Sequence, residues 1–250
     1  MSVKNHLITS LSYLRKPKKR EPISFAKKTK GKIGLEIGGP SMFFGLRSFL
    51  PVYVFSEKVD GVNFSNNTPW EGCIKEGNNY AYLQGKIGYQ YISEASTLDG
   101  VTKNDYDFIL SCHSLEHVAN PIAAVKKWAE KLRPGGLLYL VLPDRRYTFD
   151  INRPYTTFAH LLEDYNNNTN EHDETHFEEV LSLHDAALDS GVASKAELEI
   201  RTRDNYTNRC VHHHVFSHNL MKEMLEYCGF DVIYTFEANP FHLGMIGKKR

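Results

Sequence analysis

Two stretches of the chain gather side chains able to do chemistry. In the longer one, Asp144-Arg145-Arg146-Tyr147-Thr148-Phe149-Asp150 is followed by His160, by His172-Asp173-Glu174-Thr175-His176, by His184-Asp185 and by His212-His213-His214. A polar surface does not require such a density of imidazoles. Adjacent arginines such as Arg145 and Arg146 can grip a phosphate or carboxylate with two prongs. A histidine titrates close enough to neutrality to act as a general base. Arg145, His176 and His213 are therefore the catalytic candidates, the two histidines as bases. His172, His176 and the 212–214 group have the chemistry to gather a metal ion, but no familiar ligand spacing occurs, and no metal is assigned.

The shorter stretch is Leu35-Glu36-Ile37-Gly38-Gly39-Pro40-Ser41. An apolar strand running into glycines suggests a nucleotide-type cofactor. A pyrophosphate, however, needs free backbone N–H groups at a helix N-terminus. Pro40 removes one such donor, and Glu36 adds negative charge beside the turn. The turn suits a cationic cofactor without phosphate, such as S-adenosylmethionine (SAM), which carries a sulfonium and an ammonium.

These residues must be positioned by an alternating framework. Lys32–Ile37 reads as a buried strand, with Pro40 tolerated near a following helix start. Val52–Phe55 and Gly61–Phe64 are rival second strands; the latter is favoured and puts Asn63 near its end. Tyr89–Ile92 is a third strand, Tyr106–Ser111 a fourth and Leu137–Leu142 a fifth. Between the last two, Pro121–Leu132 has helical periodicity closed by Arg133-Pro134-Gly135-Gly136. All-apolar strands alternating with amphipathic helices indicate a parallel sheet covered on both faces. From Asp144 to about Arg209 the rhythm fails: the segment is polar, too long for a loop, and predicts helices near 158–165 and 175–189. A helix over Ser217–Cys228 and strands at Asp231–Glu237 and Leu243–Lys248 close the chain. The expected division is a basic arm and helix at 1–30, a core at 31–143, an inserted lid at 144–214 over the carboxyl ends of the strands, and completion of the core at 215–250.

The 250 residues carry 30 Lys+Arg and 30 Asp+Glu, but the balance is uneven, because ten of the basic residues fall within 1–32 against the single acid Glu21. Such an arm suits contact with an anionic membrane face, or packing on its own acidic body through a short helix carrying apolar positions 3, 7, 8, 11 and 14. Elsewhere no basic-aromatic stripe occurs, and nucleic acid is not expected as a partner. Cys73, Cys112, Cys210 and Cys228 are scattered without a C-x-x-C pair, which argues for reduced thiols, and no secretory leader is evident at the start. A cytoplasmic location is the expectation.

Leu35–Gly39 resembles the first motif of class I SAM-dependent methyltransferases. Tyr106–Pro121, containing Ser111-Cys112-His113-Ser114-Leu115-Glu116-His117, resembles their fourth-strand motif, and Leu132–Leu138 the approach to the fifth strand. In this order the motifs are similar to the methyltransferase type 11 group. The resemblance implies an α/β, Rossmann-like sheet of seven strands, mostly parallel with an antiparallel last strand, plus the helical lid. It implies SAM held by Gly38 and Gly39, with Glu36 near its methionine end and Asn63 at the ribose, where an acidic residue is usual and Asp60 is a rival. Glu94 and Ala95 would lie near the adenine, and Ser111, Cys112 and His113 beside the sulfonium. His117 reads as a structural hydrogen-bonding residue. The later runs look like bacterial methyltransferases encoded among surface-polysaccharide genes. The expected activity is O-methylation of a polar carbohydrate- or phosphate-containing acceptor; the alternatives are another small metabolite, a nucleic acid, or a SAM-binding partner without turnover.

Overall fold

In the computed structural model, residues 17–250 are described. The apolar positions 3 to 14 of the arm lie outside them. After a 3₁₀ turn at Pro17–Lys19, α1 (Arg20–Lys27) buries Ile23, Phe25 and Ala26. Phe25 stacks on Tyr234 at 4.7 Å, and its carbonyl accepts from the Tyr139 hydroxyl at 2.9 Å. This end of the arm packs on the body through its apolar face.

The strands follow as β1 (Ile33–Ile37), β2 (Lys58–Asn63), the small hairpin β3 (Asn67–Thr68) and β4 (Gly72–Cys73), β5 (Gly77–Leu83), β6 (Lys86–Ile92), β7 (Tyr106–Cys112), β8 (Leu132–Pro143), β9 (Phe230–Ala238) and β10 (His242–Lys249). Eight of them form one sheet in the order β5-β6-β2-β1-β7-β8-β10-β9. The pairs β6–β2, β2–β1, β1–β7 and β7–β8 are parallel, whereas β10 runs antiparallel to β8 and β9. The sheet thus has the expected parallel centre and antiparallel β10, with one strand more than expected. The extra strand, β5, is the polar half of a hairpin with β6 and alternates buried Tyr80 and Tyr82 with exposed residues.

Val52–Phe55, weighed as a strand, is instead the short helix α2, all four of its side chains buried. Its apolar run is too short for periodicity to separate a buried strand from one helical turn. The favoured alternative ends β2, with Asn63 as its last residue. Helix α3 (Pro121–Lys131) begins where Asn120 Oδ1 accepts from the Ala123 N–H at 3.0 Å, with Pro121 at its first position. Strand β8 starts at Leu132, earlier than its apolar run suggests, through an irregular register at the Pro-Gly-Gly turn.

The inserted segment holds α4 (Phe158–Asn166), α5 (Phe177–Leu183), α6 (Lys195–Arg203) and α7 (Asn205–Asn208). Helix α5 is shorter than the predicted 175–189 helix, which breaks at His184. Helix α6 lies outside the helices that the sequence predicts because it has no apolar stripe, although its start is marked by Ser194 Oγ accepting from the Glu197 N–H and by the Glu197 carboxylate accepting from the Ala193 N–H. Helix α8 (His218–Tyr227), capped by Ser217, buries Leu220, Met221, Met224 and Leu225 in the same core as α3 and one face of β1 and β7.

Candidate functional site

The chain runs outward from β1 through β2 to β6, then returns to β7 on the other side of β1. The carboxyl ends of β1 and β7 are therefore the point where open α/β sheets form a ligand crevice. Ile37 and Ser111 are register partners there, and the turn after β1 is built to lie flat on protein. Gly38 has φ +72°, and a Cβ on it would stand 2.2 Å from Ser114 Oγ. That hydroxyl donates to the Ile37 carbonyl at 3.0 Å. A Cβ on Gly39 would stand 2.3 Å from the Glu36 carboxyl carbon.

The Glu36 carboxylate, expected near the methionine end, is turned into the fold. Its carboxylate is fully buried beneath the turn and accepts from Tyr53 at 2.5 Å, Tyr80 at 2.7 Å and the Ser41 N–H at 3.0 Å. Burial, incompletely offset by these donors, pushes its pKa up to about 7. The turn leads into a 3₁₀ turn, Met42–Phe44, capped by Ser41, so Pro40 precedes the cap rather than opening an α-helix. With the Ser41 N–H already bonded to Glu36 and Tyr53, the turn offers no cradle of free N–H groups for pyrophosphate. A groove of about 510 Å³ lined by Pro40, Ser41, Met42, Arg47, Tyr53 and Tyr82 borders the turn and does not reach Asn63, Glu94 or Ser111.

Asn63, buried at the end of β2, donates its Nδ2 to the Gly39 carbonyl at 3.0 Å, which leaves Oδ1 as an acceptor. Its rival Asp60 is committed elsewhere: Oδ1 accepts from the Tyr89 N–H and pairs with Lys58, and Oδ2 accepts from Tyr106. Glu94 pairs with Arg209 at 2.6 Å, and the Ala95 carbonyl accepts from the Trp128 indole at 2.8 Å. Ser111 Oγ is buried with no hydrogen-bond partner among the described residues. Burial raises the Cys112 thiol pKa well above its usual range, so the group stays a neutral wall. His113, with φ +53°, faces His242 at 2.9 Å; burial and then the His242 and His212 rings depress its pKa to about 3. The polar side-chain atoms left over here, Asn63 Oδ1 and Ser111 Oγ, can accept from hydroxyl or ammonium donors, and the Ser111 hydroxyl can also donate. That set fits the hydroxyls and ammonium of SAM.

The lid is more self-contained than its composition suggests. Arg145 donates to the carbonyls of Ile151 and Arg153 and lies over the Tyr155 ring. Arg146 pairs with Asp144 and Glu237. Arg146 is thus engaged by two carboxylates, whereas Arg145 meets only carbonyls and a ring and keeps a buried Nε without a hydrogen-bond partner among the described residues. His213 is completely enclosed, with Nε2 facing Asn205 at 3.2 Å and Nδ1 3.6 Å from Asp173, beyond hydrogen-bond distance, so the ring is sealed within the lid and Nδ1 has no hydrogen-bond partner among the described residues. His176 bonds Asp173 at 3.0 Å and His160 at 2.9 Å, and burial lowers its pKa. The structure brings His176 and His213 together around Asp173, while His172 stacks separately on Tyr206 at 3.9 Å.

Sequence reasoning passed over the residues that hold this region. Arg153 is enclosed, bonding Asp150, Glu179 and the carbonyls of His212 and His213. Arg209 joins Glu94 to Glu171, each at 2.6 Å. Glu116, 1% exposed, has neither carboxylate oxygen hydrogen-bonded among the described residues, and burial raises its pKa to about 7. Burial opposes charge on His212, yet the Asp150 carboxylate draws its pKa above the usual value. Glu116 and His117 follow Ser111 in the fourth-strand motif, and that adjacency was the available signal.

Comparison with known proteins agrees with this architecture. A family model described as "Methyltransferase domain" matches residues 25–235. The ubiquinone biosynthesis O-methyltransferase of Parvibaculum lavamentivorans is 35% identical over 75 residues; the match spans 30% of this chain and 29% of that protein. Among solved structures, a SAM-dependent methyltransferase from Mesorhizobium loti aligns with a TM-score of 0.50 at 13% identity, covering 93% of this chain and 96% of the other. One from Aquifex aeolicus aligns with a TM-score of 0.48 at 13% identity, covering 98% of each. With its motifs in register on a Rossmann-like sheet, the chain belongs to the methyltransferase domain family.

Proposed function

We propose that this methyltransferase moves the methyl group of SAM to an oxygen of a polar, hydroxyl-bearing acceptor of the carbohydrate class, admitted between the strand ends and the 144–214 lid. One observation carries the reading: the β1–β7 switch point presents hydrogen-bond acceptors and no phosphate cradle, beneath a lid lined with imidazoles and carboxylates. SAM supplies an activated methyl bound to sulfur, and the protein's part is to bring the acceptor oxygen into line and exclude water. Asn63 Oδ1 is placed for a ribose hydroxyl, Glu94 for the adenine side and Ser111 for the region of the sulfonium. Because Arg146 is paired with Asp144 and Glu237 and does not join Arg145 in a free two-arginine clamp, the reading favours a hydroxyl over a phosphate as the methylated group. A hydroxyl must lose its proton during transfer. The oxygen-methylating relative from Parvibaculum lavamentivorans supports oxygen as the acceptor atom.

The test has two steps. Calorimetry of the purified full chain should show S-adenosylhomocysteine binding at one site; failure to bind would refute the assignment. Labelled SAM is then offered with free sugars, nucleotide sugars and sugar phosphates. Label should enter a sugar hydroxyl, and label on phosphate or on nitrogen would overturn the acceptor class.

A further inference from the structure

We propose that Glu116, His117 and His212 form a site for one divalent first-row transition-metal ion. Each offers one ligand atom, and the three atoms lie within 4.8 Å of one another. The hydrogen-bond partners set the tautomers. His117 Nδ1 faces the Val211 carbonyl at 3.2 Å, and a carbonyl only accepts, so Nδ1 bears the proton and Nε2 the lone pair. His212 Nδ1 faces Asp150 Oδ2 at 2.5 Å, and the other oxygen of that carboxylate is paired with Arg153 at 2.8 Å. His212 therefore also donates through Nδ1 and, when neutral, presents a bare Nε2. Glu116 adds two buried carboxylate oxygens bonded to nothing among the described residues. Acceptors thus face acceptors in a buried space, an arrangement that is costly until a cation enters.

The surroundings match what metal-binding imidazoles require. One ring is oriented by a carboxylate and the other by a backbone carbonyl, which fixes tautomer and direction. Two imidazoles and one carboxylate leave coordination positions open, as in catalytic rather than structural sites. Trp70 lies 5.2 Å from His117 and Phe149 4.7 Å from His212, ring centre to ring centre, so both imidazoles also rest against aromatic rings.

A second cluster, His160, Asp164, His176 and His214, differs in a decisive way. There His214 can donate to Asp164 at 2.9 Å and His160 to His176 at 2.9 Å, so each carboxylate or imidazole acceptor in these pairs already meets a donor, and only His214 Nδ1 is left without a partner among the described residues. Only the role of the Glu116 ion rests on the proposed methyl transfer: an acceptor hydroxyl bound at an open position would become a better proton donor. The rival occupant is a proton, carried by His212 Nε2 or by the Glu116 carboxyl, that lets one of these groups donate to another.

The test uses the full chain, free of any histidine tag and stripped with a chelator. Co²⁺ is titrated in and followed by its visible absorption, then displaced with Zn²⁺. The expected result is one ion per chain, bound about 100-fold or more weakly in Glu116→Gln and unchanged in His160→Ala. No uptake by the wild type, or equal affinity in Glu116→Gln, would overturn the site. Should Glu116→Gln fail to fold by circular dichroism, X-ray absorption at the zinc edge of the wild type decides: two imidazoles support the assignment and three refute it. The readout is metal content. A chain that binds Zn²⁺ here but not S-adenosylhomocysteine would refute the methyl-transfer reading and leave the metal site standing.

Discussion

The backbone N–H of His213 donates to the carbonyl of Glu116 across 2.8 Å. This one bond fastens the end of the inserted segment to the turn that follows the strand carrying Ser111. Arg209 repeats the pattern by reaching Glu94 at the end of β6. The inserted segment and the strand ends are therefore joined at two places, the turn after β7 and the residues after β6, and changes in one should be felt in the other.

Arg153 is the strongest tie within the lid, and its loss should be costly. Arg153→Ala would leave Asp150 with one charged partner fewer and two backbone carbonyls without donors. Removing one partner of a buried pair typically costs about 3–5 kcal/mol. Urea unfolding should show a loss of that order, and limited proteolysis should cut first within 144–214. A stability change below about 1 kcal/mol would show that the guanidinium is not holding the segment.

Glu36 should give the protein a pH signature. Its pKa is raised to about 7 in the folded state from 4.5, so between those values the folded chain holds a proton that the unfolded chain releases. Stability from this group therefore falls as pH rises from about 4.5 to 7 and is level above that range, a change on the order of 3 kcal/mol. In Glu36→Gln that component should vanish. The check is the difference in urea midpoint between pH 5.5 and pH 8, measured for both proteins. An equal difference in the two would refute the buried-acid account.

The parallel centre of the sheet, α3, α8 and the closing strands were legible because each carries a burial pattern longer than a single turn, whereas the antiparallel direction of β10 followed only from the family resemblance. The residues at the strand ends were also legible by position, since Gly38, Asn63, Glu94 and Ser111 all fall where their motifs put them. Their roles were less legible. Nothing local to Glu36 reveals that Tyr53 and Tyr80, 17 and 44 residues away, donate to its carboxylate. Likewise the partners of Arg145 are backbone carbonyls, which a residue-type reading cannot see. Composition marked the histidine-rich lid as unusual, but which rings meet, and through which nitrogen, is decided by long-range packing.

Gly39 is fixed by close approach rather than by backbone conformation. In Gly39→Ala the new methyl would fall 2.3 Å from both the Glu36 carboxyl carbon and the Tyr80 hydroxyl oxygen. Neither neighbour can retreat without breaking the bonds that satisfy Glu36. An overpacking cost of about 1–3 kcal/mol is expected, together with weakened S-adenosylhomocysteine binding as the turn shifts. Glu36→Ala in the same chain makes room, so the double variant should lose less than the sum of the two single changes. Strict additivity would argue against this contact.

Ser111 separates a ligand-directed group from a packing group. Its hydroxyl is buried and unbonded among the described residues, so Ser111→Ala removes a polar atom that has no partner to lose. Folding stability should stay within about 0.5 kcal/mol of wild type or rise slightly, because an unpaired buried hydroxyl is itself unfavourable. Cofactor affinity should respond differently. If the hydroxyl bonds SAM, its removal costs about 0.5–1.5 kcal/mol, or roughly 2- to 10-fold in the S-adenosylhomocysteine dissociation constant. Calorimetry and urea unfolding on the same preparation read the two effects independently. Unchanged affinity would remove Ser111 from the cofactor site, whereas a large loss of stability would mean that the hydroxyl has a partner within the fold.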